Sequence, residues 1–311
     1  MSEFDNILNH TKETEAKARE GNADGGKKMS DEEKKKAFAE KQKEKRTQCY
    51  SLIDDACLSS VSSPEKMMSF LGVQSHFEKY SLNNNLLIFS QRPDATQIKS
   101  FDDWKKAGQS IKAGSKSFMI LEPHEYKAGD EVRTGYNAKD MFDVSDLQEQ
   151  KNEPKVALES KVLLRALINK APASIKIADN YPADKSEGAY YDPKTKTIYA
   201  RPGMENDAIF TAVAGALAHA ELAKGDENYR TADHDFTARC VAYSLAEKYG
   251  VPTESATIYS IPPTYKGMES EDIKNTLSDI HTCIKGISER MREYIEPSRE
   301  NEKKKDDKGA R

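Results

Sequence analysis

The chain lacks the features that mark disulfide-rich, membrane-spanning and strongly polyanion-binding proteins. It contains four cysteines and one tryptophan in 311 residues, and its formal net charge is −4. Cys49, Cys57, Cys240 and Cys283 are scattered without C-x-x-C spacing, so we expect reduced thiols in a cytoplasmic protein. No apolar run approaches the roughly 18 residues that cross a membrane, and residues 1–46 contain no apolar signal core. The small negative charge gives no general attraction to nucleic acid, so any nucleic-acid site must be local.

The distribution of apolar residues predicts about two folded domains with charged ends. Ser30 and Glu33 form a capping-box pattern, which favours a solvated helix over 31–46. The predicted segments are 1–47, a disordered charged N-terminal segment; 48–147, a first folded domain; 148–187, a linker and a helix leading into the second domain; 188–262, the second domain; 263–297, a C-terminal helix; and 298–311, a disordered tail.

The most informative motif lies in a predicted helix, residues 210–222, whose apolar residues recur at helical spacing. Zinc peptidases carry H-E-x-x-H on such a helix, with two histidines as metal ligands and a glutamate that activates water. Here only the second histidine is present, as His219. Gly215 stands where the first histidine would be, and Ala216 stands where the glutamate would be.

The residues before and after this helix carry a family resemblance. Residues 188–199 are typical of two short strands joined by an Asp-Pro turn. Together with the helix they resemble the metallopeptidase domain of ArdC-like antirestriction proteins, which is also found in LtrC-like proteins of conjugative elements. The resemblance implies a zincin-like fold and puts the third metal ligand at Thr237. It therefore implies that Gly215, Ala216 and Thr237 are degenerate positions and that no catalytic residue is left.

Two interpretations of His219 remain open. In the favoured one it is a remnant, hydrogen-bonded within a packed helix pair, and the protein binds no zinc. In the other it joins His234 and Asp235 in a rebuilt metal site, because zinc accepts imidazole nitrogen and carboxylate oxygen. Glu221 lies about 200° around the helix from His219, so we do not expect it to replace the missing base.

A second resemblance covers the first predicted domain. Its motifs occur in the order 79–88, 91–96, 101–108, 111–116 and 142–145. They resemble the N-terminal single-stranded-DNA-binding domain of the same ArdC-like family. The two resemblances together imply an α+β protein, in which a DNA-binding α+β domain precedes a zincin-like α+β domain and a C-terminal helix.

The lysines of residues 97–118 give an independent reason to expect nucleic acid. This stretch contains five lysines and two aspartates, so its local charge is +3. Lysines beside aromatic residues supply phosphate neutralisation and stacking faces. Each of these residues also has a structural explanation without DNA. The lysines could be solvated, the tryptophan could belong to the core, and the asparagine could bond to the backbone. The predicted DNA-binding residues are Tyr80, Asn84, Arg92, Lys99, Trp104, Lys105, Lys106, Lys112 and Lys116.

Near the C-terminus, residues 269–295 show an a/d heptad pattern. The helix either docks on its own chain, which we favour, or pairs with a second chain and makes an oligomer. Its seam residues are Ile273, Leu277, Ile280, Ile284, Ile287, Met291 and Tyr294.

The resemblance implies a single-stranded-DNA-binding protein of a mobile genetic element, such as a conjugative plasmid, integrative element or phage. Its task would be to protect entering DNA from host restriction, with a catalytically inactive metallopeptidase-like domain and no membrane partner. One alternative is a zinc metallopeptidase with a rebuilt site. The other is a protein-interaction module that inhibits a host restriction or defence protein.

Overall fold

The computed structural model describes residues 30–129, 131–149, 158–183 and 187–309. Helices and two small sheets make up these residues, so the class is α+β, as predicted. The helices are α1 (Asp31–Ser60), α2 (Pro64–Phe77), α3 (Leu82–Gln91), α4 (Phe101–Lys106), α5 (Ser160–Ile168), α6 (Asn206–Leu222), α7 (Asp235–Tyr249) and α8 (Ser270–Gly309). The strands are β1 (Ile98–Lys99), β2 (Phe118–Ala128), β3 (Glu131–Asp143), β4 (Ser174–Ile177), β5 (Ala189–Asp192) and β6 (Thr197–Ala200).

Helix α1 begins with the predicted capping box. The Ser30 backbone N–H donates to the Glu33 carboxylate at 2.8 Å, and the Glu33 N–H donates to Ser30 Oγ at 3.2 Å. These two bonds satisfy backbone donors that the first helical turn leaves unpaired. The helix predicted over 31–46 is confirmed and continues to Ser60. Of the predicted disordered segment, residues 1–29 lie outside the described residues.

The first sheet has the order β1-β3-β2 and is antiparallel throughout. Strands β2 and β3 form a long hairpin that pairs from Phe118↔Met141 to Ala128↔Glu131. The start of β2 is buried against α3, whereas from Glu122 onward its side chains are largely exposed. The outer half of the hairpin therefore presents side chains to solvent.

The second sheet has the order β4-β6-β5. Strand β4 runs parallel to β6, and β5 and β6 form the hairpin predicted from residues 188–199. In its turn, the Asp192 carboxylate accepts from the Lys194 N–H at 3.0 Å, and Lys196 takes the left-handed backbone conformation with φ 49°. Helix α6 packs directly on β5 and β6.

Helix α8 docks on its own chain, which confirms the favoured interpretation of its heptad pattern. Its seam packs against α3, α5, α6 and α7. The helix continues through Gly309, with Pro297 inside it, so a helix is described over most of the predicted tail 298–311. The sequence there is rich in lysine and glutamate, which have high helix propensity, and a reading based on charge alone missed this. The fully buried seam residues are Ile273, Leu277, Ile280, Ile284, Ile287 and Met291.

Residues 46–311 form one compact unit, and helices on both sides of the predicted linker share a core. Helix α2 packs on α7, and Ser244 Oγ donates to the Leu71 carbonyl at 3.1 Å. The buried Glu78 carboxylate pairs with Lys248 at 2.8 Å and with Arg292 at 3.1 Å, which links α2, α7 and α8. A division into two domains at 148–187 stays a prediction.

We predict that Asn84→Ala lowers the free energy of unfolding by about 2–4 kcal/mol, because two buried backbone groups lose their partner. The Asn84 amide donates to the Leu121 carbonyl at 2.9 Å, and its carbonyl accepts from the Leu121 N–H at 2.8 Å. Urea denaturation measures the change. Asn83→Ala, the same substitution one position earlier on a partly exposed site, is the control and should change stability by less than about 1 kcal/mol. Equal effects of the two substitutions would contradict this account.

Candidate nucleic-acid surface and the altered metal cleft

Helices α6 and α7 pack side by side and border a cavity of about 420 Å³. From α6 it is lined by Gly215, Ala216 and His219, and from α7 by Asp235 and Ala238 among others. A Cβ added at Gly215 would stay 3.8 Å or more from its neighbours, so packing does not require glycine there. The cleft that the motif predicts is present, but small side chains replace two of its functional groups.

His219 is held by two neighbours on different elements. Its Nδ1 lies 2.7 Å from the Tyr229 hydroxyl, and its Nε2 lies 3.4 Å from Asp235 Oδ1. Burial raises the pKa of the Tyr229 hydroxyl, so this group stays protonated at neutral pH. The His234 ring stacks on the Tyr229 ring, with centroids 4.8 Å apart. The structure thus brings His219 and Asp235 together and places His234 against the tyrosine between them.

These residues do not fit a zinc site. Structural and catalytic zinc sites use at least three protein ligands, and Gly215 and Ala216 carry no donor atoms. Thr237 is buried and does not line the cavity, whereas Asp235 and Arg239 on the same helix do. Across the described ranges, no group of three or more His, Cys, Asp or Glu side chains is placed to hold a metal ion.

Glu221 is oriented away from His219, as its helical position indicates. Its carboxylate forms an ion pair with Arg290 of α8 at 2.6 Å and a second one with Lys224. A carboxylate engaged by two cations on the far side of the helix is not positioned to act as the general base of this cleft.

We predict that the purified protein, refolded or dialysed with excess zinc and then desalted, retains well under one zinc per chain. Elemental analysis measures the content. The triple variant Gly215→His/Ala216→Glu/Thr237→Glu supplies the two missing ligands and the base, so it should raise the retained zinc and is the matched positive control. Stoichiometric zinc in the unsubstituted protein would contradict the prediction and favour the rebuilt site.

Two predicted DNA-binding residues have structural roles instead. Trp104 is 3% exposed, and its Nε1–H donates to the Phe142 carbonyl at 3.0 Å. Its ring therefore cannot stack on a base in this conformation, which corrects the stacking role. Asn84 is also buried, with its amide occupied by the backbone of β2. Tyr80 is half-buried and packs edge-on against Phe77.

Carboxylates beside the lysines are engaged within the fold. Arg92 forms a partly buried ion pair with Asp146. The Asp143 carboxylate accepts from the backbone N–H groups of Thr96, Gln97 and Ser145 at 2.8, 3.0 and 2.9 Å. Burial alone would raise the pKa of Asp143, but these hydrogen bonds outweigh it and lower the pKa below its usual value.

The lysines predicted to bind DNA lie at the surface of this region, and they differ in the contacts that they make within the fold. Lys99 lies over the Trp104 ring at 4.6 Å. Lys106 pairs with Asp103 at 3.4 Å, and the Lys112 ammonium donates to the Ser145 carbonyl at 3.0 Å. The remaining two, Lys105 and Lys116, are exposed. The Ser115 N–H donates to the Lys112 carbonyl at 3.2 Å, so this donor is not available to a phosphate.

A group of aromatic residues on α1 and the outer half of the β2–β3 hairpin was not predicted from the sequence. Tyr50, Tyr126 and Tyr136 are exposed and border a groove with His124. The available signal was the alternation of aromatic and polar residues from His124 to Tyr126, although only the fold shows that α1 lies beside it.

Comparison with known families decides the relationship of the first folded region. Residues 58–166 match the family model described as the N-terminal domain of anti-restriction factor ArdC. This region belongs to that domain family. The match confirms the resemblance drawn from residues 79–145, and it includes Lys99 to Lys116 and the β2–β3 hairpin.

Two crystal structures of the antirestriction ArdC protein from plasmid R388 are similar to the chain. The metal-free structure has a TM-score of 0.47 and 11% sequence identity, and the similarity covers 68% of this chain and 84% of that chain. The Mn(II)-bound structure has a TM-score of 0.48 and 12% identity, with 68% and 83% covered. These values are too low to transfer chemistry to this chain. A comparison with curated proteins gave no match.

No helix within the described part of the chain is both long and apolar enough to span a bilayer.

We predict that Asp143→Asn lowers the stability of the ArdC-like region by about 1.5–3 kcal/mol at pH 7, because charge-assisted hydrogen bonds to three backbone N–H groups are weakened. A carboxyl whose pKa is lowered on folding stabilises the protein above its unfolded pKa, and this stabilisation is lost as the pH falls through the folded pKa. The difference from the unsubstituted protein should therefore shrink below the usual value of 3.8.

Denaturant titrations of both proteins at pH 7 and at several values below pH 4 measure this difference. Asp102→Asn changes an exposed acid of α4 and serves as the control. A stability difference that is independent of pH would contradict the assignment to the ionised Asp143.

Proposed function

We propose that this protein binds single-stranded DNA through the lysine surface, defined as Lys99, Lys105, Lys106, Lys112 and Lys116. The observation that carries the proposal is this set of lysines, one half-buried and four exposed, within a region that matches the ArdC N-terminal domain. Their side chains surround the short helix α4 and the loop that follows it, so they can contact successive phosphates of one strand.

The partners of two carboxylates in the same region support this proposal. Asp143 and Asp146 lie within the same region, but backbone N–H groups occupy the Asp143 carboxylate and Arg92 pairs with Asp146. They therefore compete little with a DNA phosphate for Lys105 and Lys116. The formal charge of −4 for the whole chain does not oppose binding here, because charges farther away than about 10 Å are largely screened at 0.1 M salt.

The family description implies the biological role. A protein of this kind would be encoded by a mobile element and would shield entering DNA from restriction. The second region would contribute a zincin-like fold without peptidase activity, because the cleft lacks the base and two ligand positions. A protein-interaction role is the second candidate, and the specific observation in its favour is the cavity of about 420 Å³, whose 21 lining residues include eight alanines and two glycines.

We predict that binding to a mixed-sequence 30-nucleotide strand weakens steeply between about 50 and 200 mM salt. Lys105→Ala/Lys112→Ala/Lys116→Ala removes three phosphate contacts, so the slope of log K against log salt should fall by about 2. Fluorescence anisotropy at four or more salt concentrations measures both quantities.

The matched control is Lys161→Ala/Lys176→Ala/Lys266→Ala, which removes the same charge from exposed positions outside the lysine surface. It should leave the slope nearly unchanged. Affinity that does not change with salt, or an equal loss in both triple variants, would refute phosphate binding by the lysine surface.

A further inference from the structure

A groove of about 450 Å³ lies between α1 and the outer part of the β2–β3 hairpin. We call it the aromatic groove, and none of its residues belongs to the lysine surface. Its lining residues are Arg46, Tyr50, His124, Tyr126, Gly135 and Tyr136.

The aromatic side chains of the groove are unusually accessible. Tyr50 and Tyr126 are each 46% exposed and Tyr136 is 43% exposed, although large aromatic rings normally bury most of their area. A cluster of exposed aromatic residues in a concave surface is typical of a ligand site rather than of ordinary protein surface.

Gly135 fixes how two of the rings lie. A Cβ at this position would stand 2.9 Å from the His124 ring and 3.2 Å from the Tyr126 ring, so both rings rest on bare backbone. Their centroids are 6.1 Å apart and their planes are tilted by 37°. Both side chains are exposed, so part of each ring surface is accessible to a flat ligand.

The charge of the groove favours an anionic partner. Arg46 is the only lining residue with a permanent charge, and the lining contains no carboxylate. Its guanidinium donates to the Tyr136 carbonyl at 3.4 Å, which holds the side chain along the groove. A cation beside exposed aromatic faces is the combination that single-stranded nucleic acids require, since phosphates need a cation and bases need stacking platforms.

We propose that the aromatic groove stacks bases of single-stranded DNA, while Arg46 contacts a neighbouring phosphate. This inference rests on the proposed DNA binding and adds a second contact region, which recognises bases rather than charge. The exposed aromatic side chains favour nucleic acid over a protein partner, because every base can stack on them without sequence-specific hydrogen bonds.

The test compares two 30-mers with equal numbers of phosphates, oligo(dT) and a strand of abasic sites, bound to the full chain. The unsubstituted protein should bind oligo(dT) at least about tenfold more tightly, since stacking contributes roughly a factor of 5 to 100 per base. Tyr50→Ala/Tyr126→Ala should reduce the affinity for oligo(dT) to that for the abasic strand and change the abasic affinity by less than about twofold.

Two controls separate stacking from structure. Tyr50→Phe/Tyr126→Phe keeps the rings and should keep the preference for bases, and Tyr259→Ala removes a tyrosine that is 78% exposed elsewhere. Thermal unfolding checks that each variant is folded, and the single variant Tyr126→Ala gives the same direction of change if the double variant is unstable.

The outcomes distinguish the two proposals. Binding that is equal for both strands, or a preference that survives the alanine substitutions, overturns the aromatic groove and leaves the lysine surface intact. A base preference that survives Lys105→Ala/Lys112→Ala/Lys116→Ala without loss of affinity refutes the lysine surface and supports the groove. Absence of binding to either strand at low salt refutes both.

Discussion

The apolar seam of α8 is the contact on which the arrangement of the larger unit depends. It packs on α3 from the first predicted domain, on α5 from the predicted linker segment 148–187, and on α6 and α7 from the second predicted domain. Two ion pairs beside the seam, Arg292 with Glu78 and Arg290 with Glu221, help to fix the position of α8 relative to α2 and α6. Burying six fully covered apolar side chains along one helix ties both regions into one core, since each contributes about 1.5–3 kcal/mol of favourable transfer free energy.

In the ArdC-like region, several polar residues of the family pattern serve the backbone. The Asn84 amide bonds to both backbone polar groups of Leu121. The Asp143 carboxylate accepts from three backbone N–H groups, two just before β1 and one just after β3. Buried polar atoms need such partners, because leaving them unpaired costs stability. Residues that look like ligand contacts in a motif can therefore be requirements of the fold.

In the second region, the cavity between α6 and α7 carries His219 but neither of the other two groups of the H-E-x-x-H pattern. Helices α6 and α7 stay closely packed, and His219 stays in place because Tyr229 and Asp235 hold its two nitrogens. The positions that would supply a ligand and a base carry glycine and alanine, which fit the helix pair without a metal ion. The histidine thus has a sufficient structural explanation in its own contacts.

Local sequence determined the elements whose signals lie within a few residues. The capping box at Ser30 fixed the start of α1, the Asp192-Pro193 turn predicted the β5–β6 hairpin, and the heptad pattern predicted α8. Only the tertiary structure decided the roles of side chains. A sequence gives the chemical type of Trp104 or Tyr126, but burial depends on which distant segments pack there. Trp104 is buried and donates to the backbone carbonyl of Phe142, whereas Tyr126 lies beside Gly135 and is 46% exposed.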